Sequence, residues 1–344
     1  MGRMVAILNS RKSSVVLVYN DKKPMTITDD MASFTAVDNA SGEADTITID
    51  VQNRGMKWFK NKWFPKSTDF VKASIKVEHW KKQNDNRTAF LGRYCIDEFS
   101  AGGYPGTASI SGISIPIHSS FNVTERNKTY KKTSVQAILE EIARRADIKL
   151  AFSAKNQKLD EISQDGKNDM AFAFSICSDY DMCMKVYNNK LVVYDQTDYE
   201  KKKAAFTLTP SDFSDDNTYN FKRSVACVYD GVKFQYQDKD GKNIIYKYVI
   251  PGKKGKRLLN ISGSADSHDD AARKAKAQLA GNLRDAVTAS FNLMGDPLYQ
   301  AGKVVKVSGF GGFDGRYFID QVTHSKNEKY TSSLQCHKCV TNIN

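Results

Sequence analysis

Gly315-Arg316-Tyr317-Phe318-Ile319-Asp320 has a second copy 223 residues upstream, Gly92-Arg93-Tyr94-Cys95-Ile96-Asp97. That offset is far too long for a solenoid period and points to a duplicated domain. The surroundings repeat as well. Val71-Lys72-Ala73-Ser74-Ile75-Lys76-Val77 precedes the upstream copy, and Ala301-Gly302-Lys303-Val304-Val305-Lys306-Val307 precedes the downstream one. Further back, Ala44-Asp45-Thr46-Ile47-Thr48-Ile49-Asp50-Val51 aligns with Ala286-Val287-Thr288-Ala289-Ser290-Phe291-Asn292-Leu293. An alternating run follows each hexapeptide, at 107–115 and 331–339. Four strand-like segments in one order argue for duplication. The competing explanation is that unrelated strands share Val, Ile, Thr and Tyr.

Within each hexapeptide the side chains alternate, so Tyr94 and Ile96 share one face, as do Tyr317 and Ile319. Each glycine is expected just before its strand, where a turn needs backbone freedom. Phe313-Asp314-Gly315-Arg316 reads as a hairpin tip. Antiparallel strands with short connections close most readily into sandwiches or small barrels. The fold class expected is therefore α+β, mainly β, with two related antiparallel β-barrels.

The bulk numbers suit this reading. A chain of 344 residues usually needs more than one core. Lys and Arg exceed Asp and Glu by 51 to 39, a net charge of +12, but the lysines are spread along the chain. Solvated surface charge is expected from so diffuse a pattern rather than a dedicated anionic partner. The start shows no signal peptide, and no apolar run approaches a membrane span. Six cysteines at irregular spacings do not form a disulfide framework, which fits assembly in a reducing bacterial cytoplasm.

Taken in order, strands are expected at 15–19, 25–28, 33–37 and 46–51. A different region starts near 121. There 134–146 has a helical face of Val135, Ile138, Leu139 and Ile142, capped by Thr133 or Ser134. A strand at 148–152, a second helix at 169–182 and a hairpin around Asn188-Asn189-Lys190 complete a small α/β domain. Strand character returns at 206–208, 224–229, 232–236 and 244–250. A turn is expected at 238–243 and a basic loop at 251–257. The alanine-rich segment 267–283 is the strongest helix, with Asp269 and Asp270 in its first turn. The domains expected are a first barrel at 1–116, an inserted α/β domain at 117–203, and a second barrel at 204–344. The second barrel carries an excursion at about 237–282 (strand, basic loop, helix).

One loop stands out as a binding candidate. Met56-Lys57-Trp58-Phe59-Lys60-Asn61-Lys62-Trp63-Phe64-Pro65-Lys66 interleaves aromatic and basic residues. Trp58, Phe59, Trp63 and Phe64 suit a protein interface, because aromatic side chains dominate interface energetics. They also suit base stacking with phosphate contacts, or a loop folded over the end of its own barrel. Catalytic and metal signals are weak. Cys336-His337-Lys338-Cys339, with His324 as a further ligand, invites a zinc reading, but residues three apart on a strand point to opposite faces and no second half-site exists. Cys177 and Cys183 are expected as packed small hydrophobes. His79, His118 and His268 are isolated, and acidic pairs such as Asp97-Glu98 and Asp215-Asp216 are not diagnostic. The Gly-Lys pairs of 251–257 lack phosphate-loop spacing, and no nucleophile elbow or zinc-protease helix is present. No catalytic residue, cofactor or metal is assigned.

These segments together resemble the tail hub proteins of contractile phages and related bacteriocin particles, in particular the late control protein D family. The likeness is carried by Gly42-Glu43-Ala44-Asp45-Thr46-Ile47-Thr48-Ile49, by Leu91-Gly92-Arg93-Tyr94-Cys95-Ile96-Asp97-Glu98 with Gly103-Tyr104-Pro105, and by the helix at 133–146. It continues in Gly302-Lys303-Val304-Val305-Lys306-Val307 with Gly315-Arg316-Tyr317-Phe318-Ile319-Asp320-Gln321-Val322-Thr323-His324. The resemblance implies tail-tube-like barrels and a non-enzymatic, structural role in the baseplate of a virion or phage-tail-like particle. It also implies a homotrimer joining a hexameric tail tube protein to a trimeric spike protein beside other baseplate proteins. A fused needle or wall-degrading domain is not expected in this chain, nor is nucleic acid as a partner. The repeat supplies its own symmetry argument, since three copies of a two-barrel chain present six similar barrels. Two other classes stay open: a nucleic-acid-binding protein using the basic aromatic loops, and an enzyme with an unrecognised site in the inserted domain.

Overall fold

The computed structural model describes residues 10–21, 30–60, 64–66, 69–104, 106–116, 120–214, 216–237 and 241–343. The strand expected at 25–28, part of the turn at 238–243, and Trp63, Pro105, His118 and Asp215 lie outside the described residues. The first half of the chain contributes β1 (Lys12–Tyr19), β2 (Met31–Asn39), β3 (Thr46–Gln52), β4 (Phe70–Glu78), β5 (Arg87–Gly102) and β6 (Thr107–Ile113). They lie side by side in the order β1-β4-β5-β6-β3-β2. Alternation selects one face for the core: Ile47, Ile49 and Val51 of β3 and Tyr94 and Ile96 of β5 point into one apolar cluster.

The inserted domain follows with β7 (Glu125–Ser134), α1 (Val135–Arg145), β8 (Lys149–Phe152), β9 (Lys158–Asn168), α2 (Asp169–Asp179), β10 (Met182–Tyr187), β11 (Lys190–Asp195) and α3 (Gln196–Glu200). The Ser134 hydroxyl caps α1 by accepting from the Ala137 amide at 3.3 Å. The expected face of Val135, Ile138, Leu139 and Ile142 packs into a core shared with Phe172 and Ile176 of α2. Cys177 and Cys183 are buried and unbridged. β7 and β9 form a two-stranded ribbon absent from the sequence reading. Both strands are rich in charged residues and mostly exposed, so no apolar alternation announces them.

The second half holds β12 (Phe206–Leu208), β13 (Thr218–Arg223), β14 (Gly231–Gln237), β15 (Asn243–Val249), β16 (Leu258–Ser264), α4 (His268–Arg284), β17 (Val287–Met294), β18 (Val304–Val307), β19 (Gly315–Lys326) and β20 (Tyr330–Lys338). The excursion is larger than the sequence suggests. β14 leaves the main sheet and pairs with β15 and β16, and Ala271, Ala275 and Leu279 of α4 pack on Val232, Phe234 and Tyr236. Small alanines let this helix approach the sheet closely. Residues 225–227 form a single 3-10 turn instead of the expected strand.

The two halves match strand for strand. β12-β18-β19-β20-β17-β13 repeats the order β1-β4-β5-β6-β3-β2, although β12 runs parallel to β18 where β1 runs antiparallel to β4. Register is reproduced as well. Val71 opposes Tyr94 as Val305 opposes Tyr317, and Ala73 opposes Gly92 as Val307 opposes Gly315. Thr46 opposes Ile113 as Thr288 opposes His337. Even the irregularity recurs, since pairing skips Asp97 between Ile96 and Glu98 and skips Asp320 between Ile319 and Gln321. Such bulges bend a strand, here at the same place in each half.

Past its bulge, β19 swings over and pairs residues 321–326 with β2, from Gln321 opposite Asn39 to Lys326 opposite Phe34. This joins both halves into one 12-stranded sheet, with a separate apolar cluster inside each half. The glycines need a correction. Gly92 lies inside β5, where pairing shifts past Leu91, and not before its strand. Gly315 opens β19 after a longer connection that contains a 3-10 turn at Gly311–Phe313, so Asp314-Gly315 is not a two-residue hairpin tip. The two glycines nonetheless share a backbone conformation, φ 154° and φ 149°, that disfavours any residue with a Cβ.

Candidate assembly interface

Three ionic junctions fix the pieces of the chain to one another. At the first, Lys185 of β10 donates to Asp38 (2.6 Å) and contacts Asp45 (2.9 Å), while the second oxygen of Asp38 accepts from the Ala301 amide (2.8 Å). One carboxylate thus touches both halves and the inserted domain. Burial works against the Lys185 charge, but Asp38 and Asp45 outweigh it and raise its pKa. At the second, Asp296 accepts from Arg87 and Lys81, both at 2.7 Å, tying the β4–β5 hairpin to the second half. Trp80 adds a 2.7 Å indole bond to the Gly295 carbonyl.

The third junction is buried. Glu200 at the end of α3 accepts from Arg284 of α4 (2.6 Å), from His337 (3.2 Å) and from the Val340 amide (2.6 Å). Arg284 also binds Asp181. His337 donates from its other nitrogen to Asp320 at 2.7 Å, so both ring nitrogens face carboxylates. Burial pulls the His337 pKa down, but Asp320 and Glu200 overcome it and lift it to about 9. Burial would raise Glu200, yet His337 and Arg284 hold its carboxyl below the usual range. A cleft of about 460 Å³ opens beside this cluster, lined among others by Phe174, Gln278, Asn282 and Asp285. Asp181, Arg284, Asp320 and His337 on its wall are engaged in ion pairs within the cluster. His324 is likewise enclosed, bonded to Ser332, Tyr330 and the Tyr299 carbonyl. The residues considered for zinc are therefore split: His337 and His324 occupy separate hydrogen-bond networks.

The aromatic loop divides. Trp58 is 3% exposed and belongs to the first core, so it follows the folded-over reading and is not a surface residue. Phe59 and Phe64 are 48% and 53% exposed. Phe64 stands edge-on to Phe99 of β5 at 5.4 Å, so the loop flanks the far end of that strand. A second aromatic surface, missed in the sequence, lies on β13. Tyr219 is 50% exposed and sits 4.9 Å from Phe310 and 4.9 Å from Phe213, while Phe221 stacks on Phe313 at 4.8 Å. The alternation Tyr219-Asn220-Phe221 was readable, but the strand is short and follows a polar turn.

Two strand edges accompany these aromatics. β13 pairs with β17 on one side, and its other side carries no strand among the described residues. β5 pairs with β4 only as far as Cys95, so its residues 98–102 bind β6 on one side and, among the described residues, no strand on the other. Unpaired edges of this kind are templates for association.

No family model matches the chain, and no curated protein matches it in sequence. Solved structures do. A tail protein from Neisseria meningitidis is similar over 96% of this chain and 98% of its own, with a TM-score of 0.70 at 14% identity. The 43 kDa tail protein of prophage MuSo2 from Shewanella oneidensis is similar over 95% and 98%, with a TM-score of 0.68 at 12% identity. An Escherichia coli component of the type VI secretion system, described as structurally similar to T4 bacteriophage tail proteins gp27 and gp5, is similar over 89% of this chain and 73% of its own, with a TM-score of 0.56 at 13% identity. At these identities the likeness concerns architecture: the chain shares the mainly β fold of these tail proteins.

Proposed function

We propose that the chain is a structural hub of a contractile phage tail or phage-tail-like particle. In this reading it is a homotrimer whose barrel ring imitates sixfold symmetry, and it joins a hexameric tail tube to a trimeric spike among other baseplate proteins. The chain divides for this purpose into a first tube-like unit at 1–116, an inserted domain at 117–203 and a second tube-like unit at 204–344. The observation that carries the reading is the register-matched duplication within one chain. A trimer of two-unit chains offers six near-equivalent docking positions, whereas a single-unit chain would offer three. The architectural likeness to tail proteins supports a place in the particle. The chain does no chemistry in this role; its ionic clusters serve to hold the units at fixed angles. Phe59 and Phe64, with Trp63 of the same loop, are proposed as partner-facing residues.

Electron cryomicroscopy of the assembled particle tests this. Three copies at the junction of tube and spike are expected. One copy or six copies there would be incompatible with the proposal.

A further inference from the structure

We infer that β13 of one copy pairs with residues 98–102 of a second copy, in the register that β2 and β19 use inside the chain. This inference rests on the ring reading above and supplies its contact. In the repeat, β13 occupies the position of β2, and residues 98–102 occupy the position of 321–325. Inside the chain these two positions are partners: β2 lies on the free edge of β19 beyond its bulge. The counterparts, β13 and the far end of β5, each keep one edge without a strand partner among the described residues. Repeating the internal contact between copies fills both vacant edges with one interaction.

Carrying over the observed pairing gives a definite register. Gln321 opposite Asn39 becomes Glu98 opposite Ser224, and Thr323 opposite Val37 becomes Ser100 opposite Lys222. Ala101 then faces Phe221, and Gly102 faces Asn220, with Gly103 in the turn that follows β5. The chemistry of both faces agrees. On one face Ala101 meets Phe221, Phe99 lies diagonal to Phe221 and directly opposite Arg223, and Tyr219 comes to the turn at Gly103, whose missing side chain leaves room for the ring. The internal counterparts of Tyr219 and Phe221 are Phe34 and Ala36, both buried where β19 covers them. On the other face Glu98 lies opposite Ser224 and diagonal to Lys222, an acidic residue beside a basic one. Phe64, already against Phe99, extends the apolar seam. Each copy offers one edge of each kind, a head-to-tail contact that closes into a ring when the rotation permits.

Paired cysteines in the full-length chain test the register, because a disulfide captures weak encounters and demands close Cα atoms. Ser100→Cys with Lys222→Cys should yield intermolecular disulfides on mild oxidation, well above the wild-type background from native cysteines. Ser100→Cys with Asn220→Cys, displaced by two residues, should yield several-fold fewer. Separately, Glu98→Lys or Lys222→Glu should weaken self-association about tenfold, and the double exchange should restore it; these exposed positions leave the fold intact by circular dichroism. Absence of the 100–222 disulfide, or equal yield from the displaced pair, overturns the inference. A three-chain complex by light scattering without that disulfide overturns the pairing while leaving the ring. Disulfide ladders beyond three chains support the pairing and count against the three-chain ring.

Discussion

The two halves of the molecule share strand order, register and a bulge at the same residue of a repeated hexapeptide, yet three equivalent positions have different environments. Phe34 on β2 is sealed by β19, whereas its counterpart Tyr219 on β13 is half exposed. His337 is clamped between two carboxylates, whereas its counterpart Ile113 is a partly buried apolar residue. The link that is a short turn at 40–45 in the first half contains a three-stranded sheet and a 17-residue helix in the second. The duplicated unit thus preserves register and bulge. The halves differ in their connections, in one ionic core, in the use of strand edges and in the direction of the first strand, parallel in β12 and antiparallel in β1.

The largest expected effects compare the two edges. Phe34→Ala should destabilise the isolated chain by about 3–5 kcal/mol, the usual range for emptying a buried aromatic site. Tyr219→Ala should cost less than about 1 kcal/mol in the same chain, while weakening assembly of the full particle. Chemical denaturation of both variants checks the contrast; equal losses would mean that the β13 edge is already covered in the monomer.

Next comes the ionic core peculiar to the second half. Glu200→Ala leaves Arg284 and His337 buried with reduced compensation, for which about 3–5 kcal/mol is expected. Asp97→Ala, the exposed counterpart of Asp320, should change stability by about 0.5 kcal/mol or less. The pH dependence follows from the same cluster. The folded-state pKa of His337 is raised from its ordinary value of 6.5 to about 9, so its stabilising contribution is complete below about 6.5 and disappears as pH rises through about 9. Glu200 is shifted the other way and loses its contribution as pH falls below the usual carboxylate range. The thermal midpoint should therefore decline between pH 6.5 and 9, and His337→Gln should flatten that decline. An unchanged slope in the variant would remove His337 from the account.

The smallest contrast concerns the paired glycines. Both hold a backbone angle unfavourable to alanine, worth about 1–3 kcal/mol. A Cβ on Gly92 would approach the buried Tyr94 ring at 3.2 Å, whereas on Gly315 it would meet the flexible end of Lys338 at 2.7 Å. Gly92→Ala should consequently cost more than Gly315→Ala, and the reverse order would show that Lys338 cannot move aside.

Much of this frame was legible in the sequence because alternation and the repeat encode it locally. The alignment of 44–51 with 286–293 reproduces the observed strand equivalence, and the faces of α1 and α4 are visible in their spacing. What escaped was set by distant partners. The β7–β9 ribbon is too polar to announce itself, and β14 carries a strand pattern that cannot say which sheet it joins. Trp58 reads as an interface residue until the loop folds over its own core. Gly92 looks like a turn residue because composition does not distinguish a turn from a bulge. The cluster of Asp181, Glu200, Arg284 and His337 draws on four separate elements, and no local pattern marks it.

On the proposed function, one chain supplies two near-equivalent units to a threefold hub. Native mass measurement of the purified chain bound to its spike is the decisive test. Three copies of the 38.6 kDa chain per spike trimer are expected; a complex with one copy or six copies would be incompatible with that arrangement.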